Sequence, residues 1–185
     1  MNEPSRDHHT TPTDPTRRLR FLDQLSGYRV HHDDVDPRGF AVKLRSGGDS
    51  IGEVEGLLAD TVAQVVRYVE IEIDDDVINR HDRNLYPDDN RHALIPVGLI
   101  HIDSAARTVY LDGVSGDHIV DYPRYSKAHG HTSGYEIDTN DYLAGFHEYG
   151  ATYDRDRYST DAYRTAEELD DPFYTSDFYT SRRPR

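Results

Sequence analysis

Histidines are the side chains in this sequence whose type most directly suggests metal chemistry. His31 and His32 are adjacent and precede two aspartates, and a single glycine separates His129 from His131. A structural or catalytic metal site needs at least three converging ligands. Adjacent side chains on an extended chain point to opposite sides. The histidine spacing therefore does not predict a metal site.

A second group of potential ligands is an acidic stretch in the middle of the chain. Its acids are Asp74, Asp75, Asp76, Asp82, Asp88 and Asp89. The stretch lacks the glycine and glutamate spacing of an EF-hand loop. We therefore expect a solvated, charged loop over residues 75–91 rather than a calcium site.

Motifs for covalent or phosphate chemistry are absent from the sequence. The chain has no cysteine, which excludes thiolate ligands, disulfides and a cysteine nucleophile. It contains no G-x-S-x-G, G-x-G-x-x-G or Walker motif, and the glycines at 47–48 and 113–116 lack the strand-to-helix context of a phosphate-binding loop. We predict that the chain is not an enzyme and binds neither a cofactor nor a metal.

Charge and hydropathy narrow the classes of partner. The formal net charge of -14 would repel phosphate backbones, so nucleic acid is not an expected partner. Residues 1–18 contain no apolar signal region, and the longest nearly apolar stretch, residues 94–102, is about half a membrane span. These features predict no transmembrane anchor and a cytoplasmic location, and they leave open a peripheral position at the inner membrane.

Composition divides the chain into three regions. Residues 1–18 form a polar, flexible leader, and residues 19–126 hold most of the aliphatic side chains. Residues 127–185 hold eight of the fourteen tyrosines but few aliphatic residues. We predict a C-terminal tail that is mostly disordered or weakly helical, with short helices at 141–149 and 162–169. The alternative is a tyrosine strip that folds back on the central domain.

Short strands separated by turn signals dominate the central region. A short apolar stripe at helical spacing over residues 19–25 predicts one turn of helix before them, and residues 117–121 fit a second helical turn. The two glycines in residues 46–49 favour a hairpin connection. The predicted strands are 40–45, 51–60, 65–74, 93–97, 99–103 and 108–111. This pattern favours a small β-barrel over a βαβ fold.

The strand at residues 65–74 has the clearest alternation. Val69, Ile71 and Ile73 share one face, which we expect to lie in the core, and Tyr68, Glu70 and Glu72 alternate with them. The sequence therefore predicts that Tyr68, Glu70 and Glu72 lie on an outer surface.

Three stretches of the sequence, taken in order, resemble one known family. They are Asp36-Pro37-Arg38-Gly39 ahead of Ile51-Gly52-Glu53-Val54, then Val66-Arg67-Tyr68-Val69-Glu70-Ile71-Glu72, then Ala93-Leu94-Ile95-Pro96-Val97-Gly98 with Ile102-Asp103 and Tyr122-Pro123-Arg124-Tyr125. The sequence resembles the PRC-barrel family, which includes the cytoplasmic domain of the photosynthetic reaction-centre H subunit. The similarity covers residues 20–125 and is greatest to the stand-alone soluble bacterial members.

The resemblance implies a small PRC-type β-barrel. Together with the composition of the two ends, it gives an expected all-β fold: this barrel with a short N-terminal helical turn and a long, largely irregular C-terminal tail, which the H subunit does not have. The resemblance also implies a non-catalytic protein-binding or scaffold module, in a family sometimes linked to stress responses. The resemblance to the H subunit suggests that Tyr68, Glu70 and Glu72 contact the partner. The partner is an unidentified protein, and the options include a membrane-associated complex and self-association. One alternative is an H-subunit-like accessory role in light-driven electron transfer, in which the position of Glu70 corresponds to a proton-delivering glutamate. A second alternative is a metal-binding protein or enzyme.

Overall fold

Seven β-strands form the centre of the protein in the computed structural model, which describes residues 17–31, 34–79, 91–127 and 130–180. All six predicted strands are present, each end within one residue of its predicted position, and a seventh strand precedes them. The strands are β1 (Leu19–Phe21), β2 (Ala41–Leu44), β3 (Gly52–Asp60), β4 (Val65–Ile73), β5 (His92–Pro96), β6 (Ile100–Asp103) and β7 (Thr108–Leu111).

The sheet is mixed and open, so the prediction of a closed all-β barrel is wrong. The strand order is β5-β4-β3-β2-β7-β6, with β1 pairing with β3, and the β2–β7 pair is parallel. Among the described residues, no ladder joins the end strands β5 and β6. The chain leaves β5 through a 3₁₀ turn at Val97–Leu99. Because β5 pairs with residues 68–72 of β4, no strand in the described part of the chain pairs with the start of β4 on that side.

The helical turn predicted over residues 19–25 is a strand followed by a single 3₁₀ turn in the structure. Leu19–Phe21 is strand β1, which pairs antiparallel with Leu58, Ala59 and Asp60 of β3. Only Leu22–Gln24 forms a 3₁₀ turn. Strand pairing satisfies the backbone of β1 at the same time as Leu19 and Leu22 enter the core.

Helices and 3₁₀ turns cover much of the chain beyond the sheet, so the predicted long, irregular tail is also wrong. The α-helices are α1 (Asp75–Asn79), α2 (Gly116–Val120), α3 (Ser133–Ala144), α4 (Arg155–Tyr158) and α5 (Asp161–Arg164), and 3₁₀ turns occupy Glu148–Thr152, Asp171–Thr175 and Asp177–Tyr179. Helix α3 begins earlier than the predicted helix at 141–149 because the Thr132 side chain accepts a hydrogen bond from the Tyr135 N–H. The helical turn predicted at 117–121 is confirmed by α2.

The C-terminal region shares one hydrophobic core with the sheet. Its few aliphatic residues, Ile137, Leu143 and Leu169, are all buried. Aromatic rings supply the rest of its contribution: Tyr149, Tyr153, Tyr158, Phe173, Tyr174, Phe178 and Tyr179 are buried. Such rings bury large apolar areas, so the tyrosine-rich region packs without many aliphatic side chains.

The turn between β3 and β4 is fixed by a buried carboxylate. Asp60 is fully buried and receives two hydrogen bonds from Arg18, at 2.9 and 2.7 Å, and two from Arg67. It also accepts the N–H groups of Val62 and Ala63. Burial opposes ionisation of Asp60, but these hydrogen bonds outweigh it and lower its pKa. The paired charge holds the two longest strands in register.

Candidate functional site

One concave surface formed by the described residues is a groove lined by parts of β3, β4 and β6. Its volume is about 1360 Å³, which exceeds the size of most small-molecule pockets. Leu57 of β3 and Val69 of β4 line it, and Ile100 and Ile102 of β6 line it on the other side. The groove therefore lies where the sheet fails to close between the start of β4 and β6.

Large apolar side chains are exposed to solvent around the rim of this groove. Four large apolar side chains are exposed among the described residues, namely Tyr28 at 43%, Val35 at 40%, Val62 at 73% and Val65 at 44%. Tyr28, Val35 and Val65 line the groove, whereas Val62 does not. Apolar surface that gathers around one concavity is typical of a binding site, while a single exposed residue is ordinary.

Strand β6 presents an open edge beside the groove. Ile100–Asp103 pair with Leu111, Tyr110, Val109 and Thr108 of β7 on one side. Within the described part of the chain, no strand pairs with the other side of β6. An edge strand of this kind offers N–H and C=O groups to an added strand.

The predicted partner-contact residues are not on a common outer surface. Tyr68 is fully buried and Glu70 is 3% exposed, so the exposure predicted for them is wrong. The side chain of Glu72 is 38% exposed and forms an ion pair with Arg91 at 2.7 Å. The C-terminal region packs over the face that holds Tyr68, and both faces of β4 are therefore buried.

A buried polar network accounts for the burial of Tyr68. The hydroxyl groups of Tyr68 and Tyr174 both donate to Oε2 of Glu136 in α3, at 2.8 and 2.9 Å. The Tyr179 hydroxyl lies 2.6 Å from that of Tyr68 and donates to Oδ1 of Asn140 at 2.9 Å. Burial raises the pKa of Glu136 to about 7 although the two hydrogen bonds oppose the shift. Hydrogen bonding makes the burial of these groups tolerable.

Glu70 lies in a second polar cluster, at the opposite end of the sheet from β6. Oε2 of Glu55 is 3.0 Å from Nδ1 of His92 and 2.6 Å from Nζ of Lys127. Oε1 of Glu70 is 3.6 Å from the same His92 nitrogen and 3.5 Å from the same Lys127 nitrogen. The Tyr125 hydroxyl also donates a short hydrogen bond to Oε1 of Glu70.

The two glutamates of this cluster have opposite pKa shifts. The hydrogen bond with His92 is the main cause that lowers the pKa of Glu55 to about 2, and Lys127 adds to it. Burial raises the pKa of Glu70, although Tyr125 and Lys127 oppose the shift. One ligand atom from each of Glu55, Glu70 and His92 lies within 4.8 Å of the others, so the three side chains could hold a metal ion.

A β-bulge brings Glu55 into this cluster, and the sequence pattern did not indicate it. Val54 pairs with Ile71 and Gly56 pairs with Glu70, so Glu55 is an extra residue between the two pairs. A bulge of this kind re-aims a side chain relative to strict alternation. The isolated glycine at position 56 inside a strand is the sequence signal that could have predicted the bulge.

Those histidines and acids weighed from sequence that lie within the described residues do not come together as a site, and Asp74 directly follows β4. His31 lies on the groove rim, while His131 is buried with its ring edge-on to Phe21. Burial lowers the pKa of His131 to about 4, so it is a neutral core residue at neutral pH. Asp75 and Asp76 lie in the first turn of α1. The remaining positions, His32, Asp33, Asp82, Asp88, Asp89 and His129, lie outside the described residues.

Comparison of the sequence with protein-family models and with curated proteins produced no match. The resemblance to the PRC-barrel family therefore stays a hypothesis. In the part of the chain that the structure describes, none of the helices has both the length and the apolar character needed to cross a bilayer.

Proposed function

We propose that this chain is a non-catalytic protein-binding module whose groove takes an extended segment of a partner protein. The observation that carries the proposal is the position of the unpaired edge of β6 beside a groove with an apolar rim. An added strand would hydrogen-bond to the β6 backbone and place alternate side chains in the groove. The four residues of β6 could pair with about 13 Å of extended chain.

In this proposal the partner contacts the groove and not Tyr68, Glu70 and Glu72. Tyr68 is buried against Glu136 and Tyr179 of the C-terminal region, and Glu70 is buried against Tyr125. Val65, Ile100 and Ile102 remain accessible on the groove side. A charged side chain at Val65 would have to be desolvated by a bound apolar segment, so this position is a sensitive probe.

A library of displayed peptides of about ten residues tests this proposal with the full chain as bait. Enriched peptides should alternate apolar residues and should lose binding when proline replaces their central residue, because proline removes a strand hydrogen-bond donor. Val65→Asp should weaken binding of an enriched peptide at least tenfold. Val62→Asp is the matched control, since Val62 is more exposed but lies outside the groove.

Three outcomes would contradict the proposal. One is a failure to enrich any peptide, and another is binding that Val65→Asp leaves unchanged. The third is a dimer of the chain itself, detected by sedimentation and dissociated by Val65→Asp but not by Val62→Asp. In that case a second copy occupies the groove and self-association replaces partner binding.

A further inference from the structure

Three neighbouring strands supply the potential metal ligands of the cluster around Glu70. Glu55 comes from the bulge in β3, Glu70 from β4 and His92 from the start of β5. The side chain of Glu70 is 4% exposed and that of His92 is 15% exposed. Ligands on paired strands are held more rigidly than ligands on loops, so their convergence is a property of the sheet.

The separations between the ligand atoms suit a small divalent cation. A tetrahedral ion with bonds of about 2.0 to 2.2 Å places its ligands roughly 3.3 to 3.6 Å apart. Nδ1 of His92 lies 3.0 Å from Oε2 of Glu55 and 3.6 Å from Oε1 of Glu70. This nitrogen is buried and faces both carboxylates. Its position close to two carboxylates is the arrangement that a metal ligand requires.

We propose that Glu55, Glu70 and His92 form a binding site for a first-row divalent cation such as Zn²⁺, for which the ammonium group of Lys127 competes. One imidazole and two carboxylates leave at least one coordination position for water. Among common divalent ions, the nitrogen ligand favours Zn²⁺ over Mg²⁺ or Ca²⁺, which prefer oxygen ligands. The site is separate from the groove and does not depend on the proposed protein-binding function.

Lys127 lies in the place that a cation would take. Its Nζ is 2.6 Å from Glu55 and 3.5 Å from Glu70, and its side chain is 41% exposed. A lysine ammonium is a point charge on a flexible stem and lacks the bidentate geometry of arginine. It can therefore swing into solvent when a divalent ion neutralises the two carboxylates.

Two neighbouring features support the ligand geometry. The Tyr125 hydroxyl donates to Oε1 of Glu70 and orients that carboxylate, and such outer hydrogen bonds tune ligand position and affinity. Gly56 leaves space for the same carboxylate, since a Cβ at this position would lie 2.5 Å from Oε2 of Glu70.

Calorimetric titration of the metal-free full chain with Zn²⁺ at neutral pH tests the site. We expect one binding event that Glu70→Gln or His92→Ala weakens by roughly 10- to 100-fold or more. Lys127→Met should bind Zn²⁺ roughly tenfold more tightly, because the competing charge is gone. Glu55→Gln should weaken binding as well. Because the Glu55 side chain is 36% exposed, this change disturbs folding less than a change at the buried Glu70. Circular dichroism of each variant checks that the fold is kept.

Control variants separate this site from chance binding by other histidines. His101→Ala in β6 and a double change of His8 and His9 to alanine should leave the Zn²⁺ affinity unchanged. Binding that survives Glu55→Gln and His92→Ala but disappears with the His8 and His9 change would overturn the proposal. So would the absence of any binding tighter than about millimolar, or an affinity that Lys127→Met leaves unchanged.

Discussion

The phenolic oxygen of Tyr68 lies 2.8 Å from Oε2 of Glu136, a residue 68 positions further along the chain. This hydrogen bond joins the central strand β4 to helix α3. Tyr174 donates to the same carboxylate oxygen, so a 3₁₀ turn near the C-terminus belongs to the same network. The tyrosine-rich region thus closes one face of the sheet through polar as well as apolar contacts.

Glu136 should make the stability of the protein depend on pH. Its pKa is about 7 in the folded chain, against an ordinary value of 4.5. The folded state therefore binds more protons than the unfolded state between these values. The contribution of Glu136 to stability is therefore greatest below about pH 4.5. It falls by about 3 kcal/mol as the pH rises to about 7. Chemical denaturation across this range measures the change.

Glu136→Gln isolates this contribution, because glutamine has a similar size and does not ionise. His131 acts in the opposite direction, since its folded pKa of about 4 lies below the ordinary 6.5 and its contribution is lost as the pH falls. The wild-type curve also contains contributions from other shifted carboxylates, among them Glu55, Asp60 and Glu70, so the difference between wild type and Glu136→Gln is the informative quantity. A difference that stays constant from pH 4.5 to 7 would show that Glu136 does not titrate as described.

Removal of residues 128–185 should abolish cooperative unfolding of the remaining chain. The deletion exposes Tyr68 and removes a large share of the common core, including Ile137, Leu143 and Phe178. This expectation opposes the sequence-based prediction that residues 19–126 fold alone. Calorimetry and near-ultraviolet circular dichroism distinguish the two. A chain that lacks only residues 181–185 is the control, and a sharp transition in the longer deletion would support an independent central domain.

Local patterns predicted the strands well because strand formation here depends on neighbouring residues. The predicted strand at 108–111 coincides with β7, and the one at 65–74 differs from β4 by one residue. Alternation of Val69, Ile71 and Ile73 identified one buried face correctly. Hydrophobic periodicity carries this information within a few residues of each position.

The cover over the second face of β4 could not be predicted from the same patterns. Tyr68 and Glu70 alternate with aliphatic residues as solvent-facing side chains do, but the groups that bury them lie far along the chain. Tyr179, for example, is 111 positions from Tyr68. Aromatic residues in the C-terminal region gave no periodic signal, because the 3₁₀ turns that carry them are short. The cluster of Glu55, Glu70 and His92 depends on the bulge at Glu55, and strict strand alternation does not predict a bulge.

Charge reversal should have different effects at Glu70 and Glu72. Glu70→Lys places an ammonium group at a buried position where the carboxylate accepts a hydrogen bond from Tyr125, and an uncompensated buried charge costs about 3 to 5 kcal/mol. Glu72→Lys should cost under about 1 kcal/mol, since its ion pair with Arg91 is partly exposed. Ile71→Ala, expected to cost about 2 to 5 kcal/mol, provides a core reference in the same strand. Urea denaturation of the three variants checks the order, and equal costs at Glu70 and Glu72 would contradict the burial of Glu70.

Gly56→Ala should destabilise the protein because of the carboxylate beside it. A Cβ at this position would lie 2.5 Å from Oε2 of Glu70 and 3.3 Å from Cδ1 of Phe21. Overpacking of this kind typically costs about 1 to 3 kcal/mol. Gly116→Ala is the matched control, since the nearest atom to its Cβ, Cδ1 of Leu44, would be 4.0 Å away. Urea denaturation of both variants should show a loss of stability for the first alone.

A double-mutant cycle attributes the cost of Gly56→Ala to Glu70. If the clash with the carboxylate dominates, Gly56→Ala should cost less in a Glu70→Ala background, because truncation of Glu70 makes room for the new methyl group. The summed loss of stability in the two single variants should then exceed the loss in the double variant by about 1 kcal/mol or more. Additive costs would assign the strain to Phe21 or to the backbone of the bulge, and Gly56 would no longer be the residue that makes space for the buried carboxylate.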